Sequence, residues 1–240
     1  MTLYGIADLH LDFARPLDRT RYAGRWSDHA AKVEKAWRET VGPGDVVVLP
    51  GDLSSARNHR DLQPDLAWLD RLPGLKVMGP GNHDRWWNDV SKIRPMLRRS
   101  LRAVDGDAIR EWGIVFCGAR GAAIASEDAS EEARKAESRA LQRLDSALEA
   151  AAAIRLPGDP LVVLWHYPPF DANRRPGPCV ERVRAAGATH VVYGHLHNQG
   201  QWAAAVQGLV GGIRYACVAA DAVGFRPPAI DRFDRSDARD

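Results

Sequence analysis

Residues 79–87 have the sequence GPGNHDRWW, which places a group of polar side chains directly after an apolar run. The preceding residues 75–78 are predicted to form the end of a short buried strand. The leading Gly-Pro-Gly favours a sharp turn, because glycine tolerates unusual backbone angles and proline presets its own. An amide, an imidazole and a carboxylate, from Asn82, His83 and Asp84, therefore emerge together at a strand end, where α/β proteins place their chemistry.

Short apolar runs alternate with longer amphipathic stretches along the whole chain. The predicted strands cover residues 3–7, 46–49, 75–78, 114–117, 161–165, 191–193 and 213–219. The predicted helices cover residues 28–40, 64–72, 86–101, 131–154 and 179–186, with Ser27 as the N-cap of the first. This alternation predicts an α/β protein built from layers. The length of 240 residues predicts a single domain, residues 1–240, with a flexible and mostly charged tail at 231–240.

The composition narrows the choice of partners and compartment. A net charge of +2 gives little support for nucleic-acid binding, and no apolar run approaches the roughly 20 residues that a membrane span needs. The three cysteines are far apart and form no CxxC pair, which favours a reducing compartment and argues against a structural zinc knuckle. Because the N-terminus shows no long apolar leader, we expect a cytoplasmic protein with no membrane partner.

Five polar clusters follow five of the apolar runs. They are Asp8-Leu9-His10, Gly51-Asp52, Gly81-Asn82-His83-Asp84, His166 and Gly194-His195-Leu196-His197. Each is a weak signal alone, since a Gly-Asp pair is usually a turn and a lone histidine is usually a hydrogen-bonded core residue. In the Asp-x-His and His-x-His pairs, both side chains can point the same way from an extended segment.

Taken together, the clusters are difficult to explain as ordinary core. A core would not gather three carboxylates, an amide and five imidazoles without cations to pair them. Oxygen and imidazole donors without thiolate suit Mn, Fe, Zn, Co or Ni, and their number suits two ions rather than one. Two such ions can clamp an in-line displacement at phosphorus and generate hydroxide near neutral pH.

The ordered set of clusters resembles the calcineurin-like metallophosphoesterase superfamily. The segments LPGDLS, GNHDRWW, HYPPF, YGHLH and AADAVGFRP are further similar to a bacterial subgroup of predicted phosphohydrolases, and the resemblance covers nearly the whole chain. One departure is Ser55-Ala56, where the subgroup is expected to have Trp-Ala, and this concerns contacts at the pocket rim. The fold that the resemblance implies is a four-layer α-β-β-α sandwich of two mixed β-sheets flanked by helices.

The resemblance also implies a role for each polar residue. One metal is held by Asp8, His10 and His197, Asp52 bridges, and the second metal is completed by Asn82, His166 and His195. The expected ions are two divalent cations, manganese first, with Fe, Zn, Co or Ni as alternatives. A metal-bridging hydroxide is the implied nucleophile. His83 is implied to stabilise charge on the phosphate and to protonate the leaving oxygen, while Asp84 orients and polarises its imidazole.

The leading prediction is a metal-dependent phosphoesterase whose substrate is a phosphate ester, with phosphodiesters favoured and nucleotides among the candidates. An alternative is a nuclease acting on DNA or RNA, which would need a basic groove that a net charge of +2 does little to support. A further alternative is a non-catalytic scaffold of the same fold. Such a scaffold would have lost the acid histidine or several ligands, whereas this chain keeps them all.

Substrate contacts are predicted close to the motifs. The candidate arginines are Arg57, Arg60, Arg85, Arg174 and Arg175, which either grip a phosphate group or only solubilise the surface. If a helix begins near residue 85, its spacing places Trp86 in the core and Trp87 on the exposed face. Trp87 would then either stack on a flat substrate group at the pocket rim or pack over a neighbouring arginine or under a loop.

Overall fold

Eleven strands form two mixed β-sheets in the described residues, 1–16 and 26–233, of this computed structural model. The first sheet has, in spatial order, β11 (Ala229–Arg232), β1 (Thr2–Gly5), β2 (Val46–Pro50), β3 (Leu75–Gly79) and β4 (Leu101–Ala103). The second has β5 (Asp107–Glu111), β6 (Ile114–Ala119), β7 (Leu161–Trp165), β8 (His190–Tyr193), β10 (Ile213–Cys217) and β9 (Gly208–Val210). The edge strands β11, β5 and β9 run antiparallel to their neighbours, and the other strand pairs are parallel.

Helices cover the outer faces of the two sheets. They are α1 (His29–Thr40), α2 (His59–Asp70), α3 (Val90–Ile93) with a 3₁₀ turn at Arg94–Met96, α4 (Glu131–Ile154), α5 (Pro178–Ala185) and α6 (Gln199–Ala204). The bounds of α4 are those predicted from its periodic apolar residues. Within residues 1–16 and 26–233, none of the helices combines the length and the apolarity that crossing a bilayer requires.

Strand alternation sorts the apolar side chains into separate cores. On β2, Val48 packs into the core between the two sheets with Phe116 of β6, whereas Val47 faces the opposite way. Val47 belongs to the core beneath α1 and α2, which includes Trp37. A third core lies between the second sheet and α4, where Leu144 is fully buried. The predicted four-layer α-β-β-α sandwich with two mixed sheets is therefore confirmed.

The two sheets are joined at one edge by the chain beyond β1 and β10. The N–H of Ala7 donates to the carbonyl of Val218 at 2.8 Å, and the N–H of Ala220 donates to the carbonyl of Ala7 at 3.0 Å. The carboxyl ends of the parallel strands meet at this edge, so the loops that follow strands of both sheets face one another.

The predicted helix at 86–101 is wrong. In its place the chain turns after Asp84, whose carbonyl accepts a hydrogen bond from Trp87 N–H, and α3 begins only at Val90. Residue 101 joins β4, which pairs with β3. Sheet pairing has overridden the helical spacing of the apolar residues, and Pro95 in the 3₁₀ turn could not donate within a longer helix.

Three smaller boundary predictions are also corrected. Helix α2 begins before the predicted residue 64, because the Asn58 side chain caps it by accepting from the N–H of Asp61. The N-cap position of α1 is Asp28 rather than Ser27. The tail does not begin at Asp231, which lies in β11. Residues 234–240 of the expected tail lie outside the described residues.

Candidate metal centre

Three of the predicted ligand loops, those after β1, β2 and β8, leave their strands through an unusual backbone conformation. Asp8, His10, Asp52 and His195 have φ angles of 58°, 43°, 52° and 70°, in the left-handed region that costs free energy for residues other than glycine. Such conformations persist where the surrounding structure holds them, often at functional sites. Here the loops hold each other, since the N–H of His10 donates to the carbonyl of Asp52 at 2.9 Å.

Two glycines allow the loops to approach the carboxylates. A Cβ atom on Gly81 would lie 2.1 Å from both the backbone nitrogen and Oδ1 of Asp52. A Cβ atom on Gly194 would lie 2.2 Å from Oδ2 of Asp8. Any side chain at either position would push a carboxylate away, so the GNHD and GHLH motifs need glycine for steric reasons.

Two buried carboxylates lie at the centre of the site. Oδ2 of Asp8 accepts from the N–H of His195 at 2.9 Å, and Oδ1 of Asp52 accepts from the N–H of His83 at 2.7 Å. The other oxygen of each, Asp8 Oδ1 and Asp52 Oδ2, is buried and has no hydrogen-bond partner among the described residues. Burying a charged oxygen without a partner is costly, so these two atoms fit a bound cation.

A first group of possible ligands consists of Asp8, His10 and His197, whose donor atoms all lie within 4.8 Å of one another. Nε2 of His197 is 3.5 Å from Oδ1 of Asp8. Two donors that bind one cation at about 2.1 Å in tetrahedral geometry are about 3.4 Å apart. This spacing is therefore that of two ligands of one ion, and the three residues are those predicted for the first metal.

A second group contains Asp8, Asp52 and His166. Oδ1 of Asn82 lies 2.8 Å from Nε2 of His166 and 2.9 Å from Nδ1 of His195, so the residues predicted for the second metal converge here. Oδ2 of Asp52 is 3.5 Å from Nε2 of His166 and 3.8 Å from Nε2 of His10. This oxygen thus lies between one histidine of each predicted metal site.

Burial controls the protonation of this site. It raises the pKa of Asp8 well above its ordinary value and the pKa of Asp52 to about 6. It lowers the pKa of His166 to about 3 and that of His195 to about 4. The two imidazoles are therefore neutral near pH 7, the form that binds metals. For Asp8 and Asp52, the nearby positive charge of His197 only partly offsets the effect of burial.

Asp221, to which the sequence interpretation gave no role, lies beside the predicted metal ligand His197. Its Oδ1 and Oδ2 lie 3.3 and 3.4 Å from Nδ1 of His197, whose Nε2 faces Asp8. Burial lowers the pKa of His197, but the hydrogen bond to Asp221 and the charges of Asp8 and Asp221 together outweigh burial and raise it. A carboxylate on the outer nitrogen of a histidine commonly fixes the orientation of a metal ligand. The quoted AADAVGFRP segment contained this signal.

His83 lies at the mouth of the site, exposed to solvent. Its ring centroid is 5.5 Å from that of His10 in an edge-on arrangement. Asp84 does not polarise it as predicted: the two Asp84 oxygens accept from the N–H groups of Ser54 at 3.0 Å and Gly81 at 2.8 Å. No hydrogen bond joins the Asp84 carboxylate to the His83 imidazole within the described chain. Asp84 instead ties the loop after β2 to the loop after β3.

Trp87 does not form a pocket rim. It is 4% exposed, and its Nε1–H donates to Oδ2 of Asp105 at 3.1 Å. Since α3 begins only after Trp87, the helical spacing that placed it on an exposed face does not apply, and both Trp86 and Trp87 are core residues.

Two of the predicted substrate-binding arginines are bonded to other surface groups. Nε of Arg175 donates to Asp171 at 2.7 Å, and a terminal nitrogen of Arg174 donates to the carbonyl of Ala203 at 2.9 Å. Arg57 and Arg85 are exposed, and the structure shows neither of them bonded to a predicted metal ligand in the described ranges.

Comparisons with known proteins identify the family of this chain. A family model described as calcineurin-like phosphoesterase matches residues 1–199. The Gene 66 protein of Mycobacterium phage D29 is 39% identical over 79 residues, which are 33% of this chain and only 38% of the phage protein.

Two solved structures share the fold. The protein TT1561 of Thermus thermophilus has a TM-score of 0.54 and 13% identity over 95% of this chain and 98% of its own. The phosphopantetheinyl hydrolase of Mycobacterium tuberculosis has a TM-score of 0.50 and 17% identity over 96% of both chains. At such low identity, these two likenesses concern the fold alone.

Proposed function

This chain belongs to the calcineurin-like phosphoesterase family, and on that premise we propose that it hydrolyses phosphate esters, phosphodiesters in preference, with two divalent metal ions. The observation that carries the proposal is the pair of buried carboxylate oxygens, Asp8 Oδ1 and Asp52 Oδ2, that have no hydrogen-bond partner in the described chain. Imidazole nitrogens lie 3.5 Å from each of them, as shared ligation of a cation requires.

The residues present fit such a pair of ions. Asp8, His10 and His197 would hold one ion, Asn82, His166 and His195 the other, and Asp52 would contact both. When bound, two divalent ions neutralise charge on a phosphate and lower the pKa of water, so that hydroxide is available near neutral pH. Manganese is the first ion to test, because oxygen and imidazole donors accept it along with Fe, Zn, Co and Ni.

His83 is the proposed general acid. Its backbone is anchored on Asp52 while its imidazole is exposed beside His10, so the ring faces the space that a substrate would enter. From there it can give a proton to the leaving oxygen. Asp84 serves this step by positioning, since its bond to Gly81 N–H fixes the loop that carries His83.

Stacking of a flat substrate group, such as a nucleotide base, on Trp87 has lost its structural support, because Trp87 is buried. The proposal therefore rests on recognition of the phosphate group and leaves the rest of the substrate open.

The three cysteines are free and buried, which supports the proposed reducing, cytoplasmic environment.

A substrate panel tests the proposal. Protein stripped with a chelator and resupplied with Mn²⁺ is assayed on an aryl phosphodiester, an aryl phosphomonoester, cyclic nucleotides and single-stranded DNA. We expect hydrolysis of the aryl diester that disappears with the chelator and returns with the metal. Metal-loaded protein that hydrolyses none of these substrates, or chelated protein that hydrolyses them equally well, would contradict the proposal.

A further inference from the structure

Arg120 lies at the edge of the second sheet that carries the predicted metal ligands, and it has no part in the proposed reaction so far. It is the first residue after β6, and Ala119, the last residue of that strand, pairs with Trp165 of the parallel strand β7. Arg120 therefore comes level with His166, the first residue after β7 and a predicted metal ligand. Adjacent parallel strands are about 4.8 Å apart, so the two residues start from neighbouring backbone positions.

The alternation of side chains directs Arg120 into the gap between the sheets. Cys117 and Ala119 of β6 belong to the core on the helix side, whereas Phe116 belongs to the core between the sheets. Continuing this alternation by one residue places Arg120 on the face of Phe116. The side chain of His166 is on the same face, because it reaches Asp52 and Asn82 of the first sheet.

Arg120 is close enough to two side chains of this gap, the carboxylate of Asp52 and the phenol of Tyr167, for its positive charge to act on both. The ring centroid of Tyr167 lies 4.2 Å from that of His195, a residue predicted for the second metal.

The guanidinium of Arg120 is exposed and not engaged by the protein. Among the described residues it makes no hydrogen bond or ion pair, whereas Arg174 and Arg175 are bonded elsewhere on the surface. A free guanidinium presents a planar fork of donors that matches two phosphate oxygens. The Arg120 side chain has no carboxylate partner of its own in the described chain, although carboxylates and imidazoles lie near it. Its positive charge is therefore available to an anionic ligand that enters this cluster.

We propose that Arg120 binds the non-bridging oxygens of the substrate's phosphate group, from the side of the site formed by His166 and Tyr167. The inference rests on the proposed function, since it names a residue that recognises the phosphate of that substrate. Arg120 would thus bring positive charge to the phosphate from the end of β6 in the second sheet.

The test measures the binding of inorganic phosphate by titration calorimetry to the Mn²⁺-loaded protein. Arg120→Ala should weaken phosphate binding by about tenfold to a hundredfold, the usual loss for a hydrogen-bonded charge. Arg120→Lys keeps the charge but not the fork, so its phosphate affinity should fall between those of the wild type and Arg120→Ala. Arg139→Ala is the matched control, because Arg139 is exposed on α4 and loses the same charge. The control should bind phosphate like the wild type.

Metal content and thermal unfolding are measured for every variant, and both should stay unchanged. Three results would each overturn the inference. They are unaltered phosphate affinity in Arg120→Ala, an equal loss of phosphate affinity in Arg139→Ala, and loss of metal from both Arg120 variants. If Arg120→Ala does not fold, the phosphate affinity of Arg120→Lys is the deciding measurement. Wild-type affinity in that variant would contradict phosphate binding by the planar guanidinium. Phosphate binding that depends on Arg120, without hydrolysis of any ester, would defeat the proposed function alone. Ester hydrolysis with phosphate affinity independent of Arg120 would defeat only this inference.

Discussion

The backbone N–H of His83 donates a 2.7 Å hydrogen bond to Oδ1 of Asp52, which fixes the exposed histidine to the central carboxylate of the site. The other oxygen of Asp52 is buried, has no hydrogen-bond partner in the described chain, and lies between His10 and His166. One side chain thus positions the proposed acid and offers its remaining oxygen to cations. The arrangement explains why the Gly-Asp and Gly-Asn-His-Asp loops must be adjacent.

Replacing His83 with alanine should affect poor leaving groups far more than good ones. A nitrophenolate leaves without a proton, whereas an alkoxide needs one, and loss of a general acid typically costs about 10² to 10⁴-fold. We expect a loss in that range for an alkyl ester and a much smaller loss for a nitrophenyl ester, with metal content unchanged. Steady-state kcat on the two esters is the measurement. Equal losses on both would show that His83 acts on the phosphate charge and not as an acid.

Replacing Trp87 should destabilise the fold. The side chain is 4% exposed and lies in the core beneath the first sheet, so Trp87→Ala should lower the free energy of unfolding by about 3 to 5 kcal/mol. Trp87→Phe keeps most of the ring and loses the bond to Asp105, so its loss should be smaller. Urea unfolding of the two variants checks this. If Trp87→Ala kept full stability but raised KM, Trp87 would be a substrate contact after all.

Asp65 should make stability depend on pH. It accepts a hydrogen bond from the Ser54 hydroxyl, and burial raises its pKa from 3.8 to about 6. The folded protein therefore holds a proton that the unfolded chain releases between about pH 4 and 6, so the contribution of Asp65 falls as pH rises through that window. The loss should be on the order of 3 kcal/mol and complete above about pH 6.

The comparison of wild type with Asp65→Asn isolates this effect, because the asparagine does not titrate. Unfolding free energies from urea titrations are measured every half unit from about pH 4 to 7 on metal-free protein. The wild-type value minus the variant value should fall across the window and then level off. A constant difference over the whole range would show that the carboxyl of Asp65 does not titrate there.

Replacing Asp221 with asparagine should weaken the metal site without removing a ligand. The carboxylate of Asp221 lies on the outer nitrogen of His197, and loss of such a partner typically costs about 10 to 100-fold in metal affinity or activity. Mn²⁺ affinity from equilibrium dialysis is the measurement. Glu149→Gln, which removes one negative charge from the exposed face of α4, is the control and should leave that affinity unaltered. Equal affinities in Asp221→Asn and the control would contradict the role of Asp221.

The ligand positions could be predicted because each is encoded locally. Asp52 and His166 directly follow buried apolar strands, and parallel strands bring such residues to one edge. Asp221 lies in the quoted AADAVGFRP segment and Arg120 directly follows β6, but neither position by itself indicated a role. Their importance depends on His197 and Asp52, which are distant in the chain, and neither sits in a cluster of metal-binding residue types.

The segment after the GNHD motif shows the opposite case, a clear local pattern that tertiary structure overrides. Apolar residues at helical spacing predicted a helix through residue 101, but Leu101 pairs with Lys76 of β3. Trp87 is held inward by Asp105, which Arg143 of α4 binds in turn. These partners lie far along the chain, so no periodicity within residues 86–101 could reveal them.

Asp52 is proposed to join two metal ions that the hydrolysis requires, and bound metal measured together with turnover decides whether it does. Wild type and Asp52→Asn are dialysed against Mn²⁺, and bound metal per chain and turnover of an aryl phosphodiester are determined on the same samples. We expect two ions per wild-type chain. In Asp52→Asn we expect loss of at least one ion and a fall in activity of at least about 10³-fold, because charge stabilisation worth several kcal/mol is removed. Near wild-type turnover by Asp52→Asn with two ions still bound would contradict this role of Asp52.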